Sequence, residues 1–189
     1  MFCLIGVIFL LAPAELAAGA VLDVGNTFPE VVLNVEDEDD ARYLDVGGIM
    51  DLVMGSKKIT IHDVKTNFLV IQIFSMYCPY CQADAPRVNT LFGKMRKDPA
   101  INDKVKLIGI GAGNTKLEVA TFKNKYAIDF PLFSDGDFSI HKKIGEVRTP
   151  YFIIVKLQGA RKGEVLYSRL GTLESVESFL DVIEKLAVK

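Results

Sequence analysis

Residues 68–74, Phe-Leu-Val-Ile-Gln-Ile-Phe, are apolar at nearly every position and rich in β-branched and aromatic side chains. A strand apolar at successive positions is covered on both faces, so this run predicts the central strand of a sheet. The period then changes. Ala85, Val88, Phe92 and Met95 recur at steps of three or four, which predicts a helix of roughly four to five turns with one inward face. Residues 105–111 repeat the strand pattern, and the spacing predicts a helix over 115–126. An extended segment at 130–133 leads to a turn at 134–136 and a short helix around 138–144. Strands are predicted at 151–157 and 164–169, joined by a turn from Gly159 to Gly163. Leu173, Val176, Phe179, Ile183 and Ala187 form the stripe of a closing helix.

Ahead of the central strand the pattern is weaker. Phe28-Pro29 precedes a short strand at 31–33, and 59–64 fits the second strand of an entry hairpin followed by a tight turn. Between them lie the acidic run Glu36-Asp37-Glu38-Asp39-Asp40 and the pairs Gly47-Gly48 and Gly55-Ser56. This composition predicts a solvated loop insertion over about 34–57; a docking surface for a partner is the alternative reading of the acids. His62, polar and beside a turn, is expected at the surface.

At the start, the apolar segment 2–12 is followed by Pro13 and the small residues Ala17, Ala18, Gly19 and Ala20. That is the form of a secretory leader cut after Ala20; retention as an uncleaved anchor is the alternative. The expected organisation is thus a leader at 1–20 and one domain at 21–189. With 189 residues, half of them hydrophobic, the chain can cover one core of ordinary size. Its 22 basic and 24 acidic residues give a net charge of −2 with no basic block. Nucleic-acid binding is therefore not expected; separately, the chain is expected to be a monomer.

The chemistry lies where strand period gives way to helix period. Cys78 and Cys81 stand there as a Cys-X-X-Cys pair, while Cys3 falls in the leader. The first backbone N–H groups of a helix have no internal partner and favour negative charge. A thiol so placed titrates at roughly 3.5 to 7.5 instead of about 8.5. Cys78 is thus the expected nucleophile, and Cys81, one turn further in, the resolving thiol. Pro79 fits the first helical position, which needs no donor. As a structural staple the pair would close too short a loop to constrain the unfolded chain much. Zinc would require two further ligands, and His62 and His141 lack ligand spacing. No cofactor is expected beyond a redox-active Cys78/Cys81 disulfide, and export fits a compartment where disulfides form. Asp84 lies three residues past Cys81, on the same side of the helix; read from the residues alone, it is also a carboxylate that favours the helix dipole.

Cys78-Pro79-Tyr80-Cys81 with Pro86 five residues on, Gly25-Asn26-Thr27-Phe28-Pro29 near the start, and Thr149-Pro150 before a strand together resemble the thioredoxin fold. More narrowly, the chain resembles the TlpA/ResA-like thiol-disulfide oxidoreductases of the redoxin/AhpC-TSA superfamily. The resemblance implies a three-layer α/β sandwich, its central mixed β-sheet flanked by helices and preceded by a β-hairpin. It implies a cis Pro150 facing the cysteine turn and shielding the thiols from metal, with Thr149 pairing to an extended substrate segment. Tyr77, Pro79 and Tyr80 would shape the rim that substrate meets, and Asp84 would take the proton of Cys81. The implied function is periplasmic reduction of protein disulfides, with cytochrome c maturation as one destination. The implied partners are disulfide-containing or apo-cytochrome-like proteins and a membrane thiol electron donor. Two rivals stand beside it: a copper-binding, metallochaperone-like module, and a thiol peroxidase. Copper-delivery relatives separate their cysteines by three residues and carry a later histidine, whereas His141 precedes Pro150 here. Ser75-Met76-Tyr77-Cys78 lacks the Pro and Thr that precede a peroxidatic cysteine.

Overall fold

The computed structural model describes residues 22–47 and 57–187. The leader at 1–20, and the part of the insertion that contains Gly48 and Gly55-Ser56, lie outside the described residues. Five strands form one mixed sheet in the order β5-β4-β3-β6-β7. These are β3 (Phe68–Phe74), β4 (Val105–Ala112), β5 (Leu132–Asp135), β6 (Tyr151–Lys156) and β7 (Val165–Leu170). β4 runs parallel to β3 and β5, whereas β6 is antiparallel to both β3 and β7. A separate antiparallel pair, β1 (Val32–Val35) and β2 (Lys57–Thr60), makes the entry hairpin.

The alternation hidden inside the apolar run of β3 assigns the layers. Leu69, Ile71 and Ile73 face one core, shared with β1, β2 and two short helices, α1 (Glu38–Leu44) and α4 (Ser139–Lys143). Val70 and Phe74 face the other, shared with α2 (Pro79–Lys97), α3 (Lys116–Lys125) and α5 (Val176–Ala187). Each of these side chains is fully buried, and each such burial contributes about 1.5–3 kcal/mol. The expected stripe of the closing helix holds, since Leu173, Val176, Phe179, Ile183 and Ala187 are all buried, although α5 itself begins at Val176.

Two expectations are corrected. The acidic run is not all loop: the Asp37 side chain accepts from the N–H groups of Asp39 and Asp40 and caps α1, whose first turn is Glu38, Asp39 and Asp40. Acids at a helix N-terminus meet unpaired donors and the positive end of the dipole, so this composition starts a helix when a cap precedes it. Ser134 and Asp135 likewise belong to β5 and not to a turn. Buried Asp135 accepts from the N–H groups of Ile140 and His141, at 2.9 and 2.8 Å, and so anchors α4.

Candidate active site

β3 ends at Phe74, and the next three residues carry the chain to the N-terminus of α2. This linker is held from both sides. Met76 N–H donates to Asn114 Oδ1 at 2.8 Å, Gln82 Nε2 donates to Met76 O at 2.7 Å, and Cys78 N–H donates to Ser75 O at 3.0 Å. Asn114 comes from the turn after β4, where Gly113 takes φ +65° and a Cβ would lie 2.2 Å from the Phe138 ring. Only glycine satisfies both conditions there.

Cys78 is the N-cap of α2 and Pro79 opens the helix. No side chain caps this end, so its first donors remain turned to the cysteine. Cys78 is partly exposed and Cys81 wholly buried, and both are free thiols. Burial pushes Cys78 up, but hydrogen bonds from the Thr149 side chain, from Cys81 and from the Tyr80 backbone outweigh it, leaving the thiol below its ordinary value. Its Sγ also donates to the Thr149 carbonyl at 3.3 Å, a contact that favours the protonated form. Cys81 is the reverse case. Burial, reinforced by the neighbouring Cys78, pushes it up to about 12. The Thr149–Pro150 peptide is cis, so the residue pair expected opposite the thiols is joined to Cys78 through Thr149.

Asp84 is fully buried in α2, beyond its first turn, which is where the helix dipole acts most strongly. Its Oδ2 accepts from Leu173 N–H at 3.1 Å and its Oδ1 lies 3.4 Å from Arg87 Nη1. Burial raises its pKa against both of these contacts. The carboxyl therefore ties α2 to the segment leading into α5, and its partners are Leu173 and Arg87 rather than Cys81.

Tyr77 and Tyr80 stand out at the rim, 65% and 69% exposed. The Tyr77 hydroxyl donates to Glu118, which with Thr115 forms the capping box of α3. Asn114, Gln82 and Glu118 thus hold the cysteine loop although motif spacing singles out none of them. Glu118 alone has a readable signal, the Thr-x-x-Glu pattern at a helix start. His141 Nε2 pairs with Val147 O at 2.8 Å, and His62 is partly buried near Gly163 instead of fully exposed. Among the described residues no group of three or more His, Cys, Asp or Glu side chains is placed to hold a metal.

A strand, a Cys-X-X-Cys turn, a helix and a cis-proline loop make up a dithiol site in which one sulfur is partly exposed with a lowered pKa and the other is buried with a raised one. Comparison with known proteins agrees. Curated relatives include the thiol-disulfide oxidoreductase ResA of Halalkalibacterium halodurans, 22% identical over 130 residues, covering 68% of this chain and 69% of the relative. ResA of Bacillus thuringiensis subsp. konkukian is 25% identical over 127 residues, covering 67% and 69%. Among solved structures, a putative protein disulfide isomerase from Bacteroides thetaiotaomicron superposes with a TM-score of 0.64 at 17% identity, over 90% of this chain and 92% of that one. StoA from Bacillus subtilis gives 0.57 at 15% identity, over 82% and 97%. The Redoxin family matches residues 23–183; the chain belongs to that family and is a thiol-disulfide oxidoreductase of thioredoxin-like fold.

Proposed function

We propose that this protein is an exported reductant of disulfides in partner proteins, with Cys78 as nucleophile and Cys81 as resolving thiol. The observation that carries the reading is the asymmetry of the pair: an accessible thiol whose pKa is lowered beside a buried one raised to about 12. The Cys78 thiolate attacks one sulfur of the partner's disulfide, forming a mixed disulfide and releasing the other sulfur as a thiolate, which takes up a proton. Cys81 then loses its proton and attacks Cys78 Sγ, forming the Cys78/Cys81 disulfide and releasing the partner's second thiol. Two electrons and two protons pass to the partner. Asp84 is the proposed acceptor of the Cys81 proton: it is buried in the same helix, and its raised pKa brings it nearer to the range in which a carboxylate takes a proton.

Tyr77, Pro79 and Tyr80 form the landing surface in this proposal, and the Thr149 backbone, followed by Pro150, pairs with an extended substrate segment. The partners are disulfide-containing proteins, apo-cytochrome-like chains among them, and the spent disulfide is recharged by a membrane thiol donor. The protein acts as a monomer in the periplasm, a location supported by the leader-like segment 2–20. Among the described residues no helix is long and apolar enough to cross a membrane. The test is the reduction potential of the Cys78/Cys81 pair, measured by equilibration in thiol-disulfide buffers and mass counting of free thiols. Thioredoxin lies near roughly −270 mV and a strong oxidant near roughly −120 mV. A value toward the former supports the reductant, and one toward the latter makes the protein a disulfide donor.

A further inference from the structure

The end of the sheet that carries the Cys78 turn also gathers the exposed apolar side chains. β4 and β5 run parallel to β3, and antiparallel β6 brings β7 back into the same direction. That end therefore receives the chain after β3, β4, β5 and β7 and the chain before β6. Among the described residues seven large apolar side chains are exposed, and five of them stand there: Tyr77 and Tyr80 after β3, Leu117 after β4, Phe138 after β5 and Leu170 at the end of β7. Exposed apolar residues scattered singly need no explanation, but a gathering of them around one reactive sulfur marks a contact surface.

Phe138 is the member that stability explains least. Its backbone takes φ 60° and ψ 19°, in the left-handed region, where glycine, asparagine or aspartate sits easily and a bulky side chain is strained. Burial does not offset that strain, since Phe138 stays 43% exposed. The tip of its ring reaches across to Gly113, whose missing side chain makes room for it, and the His141 ring lies beside it at 5.7 Å. Gly113 is followed by Asn114, which holds the Met76 N–H. Met76 is followed by Tyr77, whose hydroxyl reaches Glu118, the chain neighbour of Leu117. Leu117 itself is 77% exposed in the first turn of α3. An unbroken row of contacts and chain links thus joins the Cys78 loop to Leu117 on one side and Phe138 on the other. Two strand spacings, from β3 to β4 to β5, put Phe138 roughly 10 Å from the Cys78 turn, a span of about three residues of extended chain.

We propose that Phe138 and Leu117 form a specificity subsite for a large apolar side chain that the partner polypeptide carries a few residues from its disulfide cysteine. This subsite rests on the reading of the protein as a reductant of partner disulfides, and it adds which polypeptides are preferred. The surface is continuous with the sulfur that the partner must reach, and backbone strain under an exposed aromatic ring is retained where a ligand is met.

Short Ser/Gly peptides with a single cysteine, carried as its mixed disulfide with thionitrobenzoate, test this on the reduced full chain. Cys78 attacks the peptide sulfur and thionitrobenzoate leaves as a coloured thiolate. Cys81 then attacks Cys78 Sγ and frees the peptide thiol, so the dithiol supplies both electrons. Phe placed about two to four residues to either side of the cysteine is expected, in at least one position, to raise kcat/KM at least about fivefold over Ala, through a lower KM. Phe138→Asn, which suits the left-handed backbone, should bring that Phe-to-Ala ratio to within about twofold of unity. Phe138→Tyr should keep the ratio and Leu117→Ser should lower it. Because the ratio is taken within each variant, it does not depend on how much of that variant is folded. A parent ratio near unity in every position, or a ratio that survives Phe138→Asn, overturns the subsite and leaves the reductant reading standing. No release of thionitrobenzoate from any peptide removes that reading and the subsite with it. Light scattering that shows a dimeric parent and a monomeric Phe138→Asn variant would assign the patch to a second copy of the chain and likewise overturn it.

Discussion

Asn114 is fully buried, and its side-chain oxygen serves a backbone N–H 38 residues away along the chain, in the loop that carries Cys78. Asn114→Ala leaves that N–H without its acceptor, a loss of about 1–3 kcal/mol; thermal unfolding should register it, together with slower disulfide exchange as the loop loosens. Asp84→Asn keeps an oxygen for Leu173 N–H but cannot take a proton. Stopped-flow measurement of mixed-disulfide resolution is expected to slow by about tenfold or more, while the first attack by Cys78 keeps its rate. Cys81 links chemistry to stability. Its pKa is about 12 in the fold against 9.0 for the ordinary thiol, so the unfolded chain releases this proton first as pH rises. The stabilisation is therefore present below about pH 9 and is lost between 9 and 12. Denaturant unfolding of the reduced protein should show that alkaline decline, and Cys81→Ala should lessen it from about pH 9 upward, leaving the part above about pH 10 that buried Tyr43, also pushed up to about 12, adds. At this scale Cys78, Cys81 and the Thr149-Pro150 pair were legible in the sequence from spacing and resemblance. Asn114 and Gln82 were not, because a polar side chain that ties together two loops distant in sequence leaves no periodic trace.

Among the elements, β3 and α2 were the most legible, since an apolar run buried on both faces and a helical stripe are strong periods. α1 was not. Its seven residues are too few to establish a stripe, and its acids resemble a solvated run unless Asp37 is recognised as their cap. The helix nonetheless supplies Tyr43, whose hydroxyl accepts from the Leu107 N–H and so closes the edge of β4 left open ahead of Gly109, where β5 joins. Asp37→Ala should lower stability by about 1 kcal/mol through loss of the cap, measurable by denaturant unfolding. If stability and the amide signal of Leu107 both stay unchanged, α1 does not hold that edge.

Across the whole molecule, the two faces of one sheet serve two cores. The face covered by α2, α3 and α5 carries the thiol site at the C-terminal end of β3, while α1 and the entry hairpin complete the opposite face. The unbroken apolar run of β3 predicted cover on both its faces, and the resemblance implied the three layers; the sorting of Leu69, Ile71 and Ile73 from Val70 and Phe74 is visible only in the fold. The sequence could not give the register by which β5 begins late and leaves an edge for Tyr43, since register depends on pairing between distant segments. In the proposed mechanism this architecture separates two chemically identical thiols into an attacking and a resolving one. Competitive alkylation of the reduced protein over a pH series, with Cys78 and Cys81 read separately by mass, tests it most directly. Cys78 should label with a midpoint below 9.0 while Cys81 stays unlabelled until the pH nears 12. Equal labelling of the two, or earlier labelling of Cys81, would contradict it.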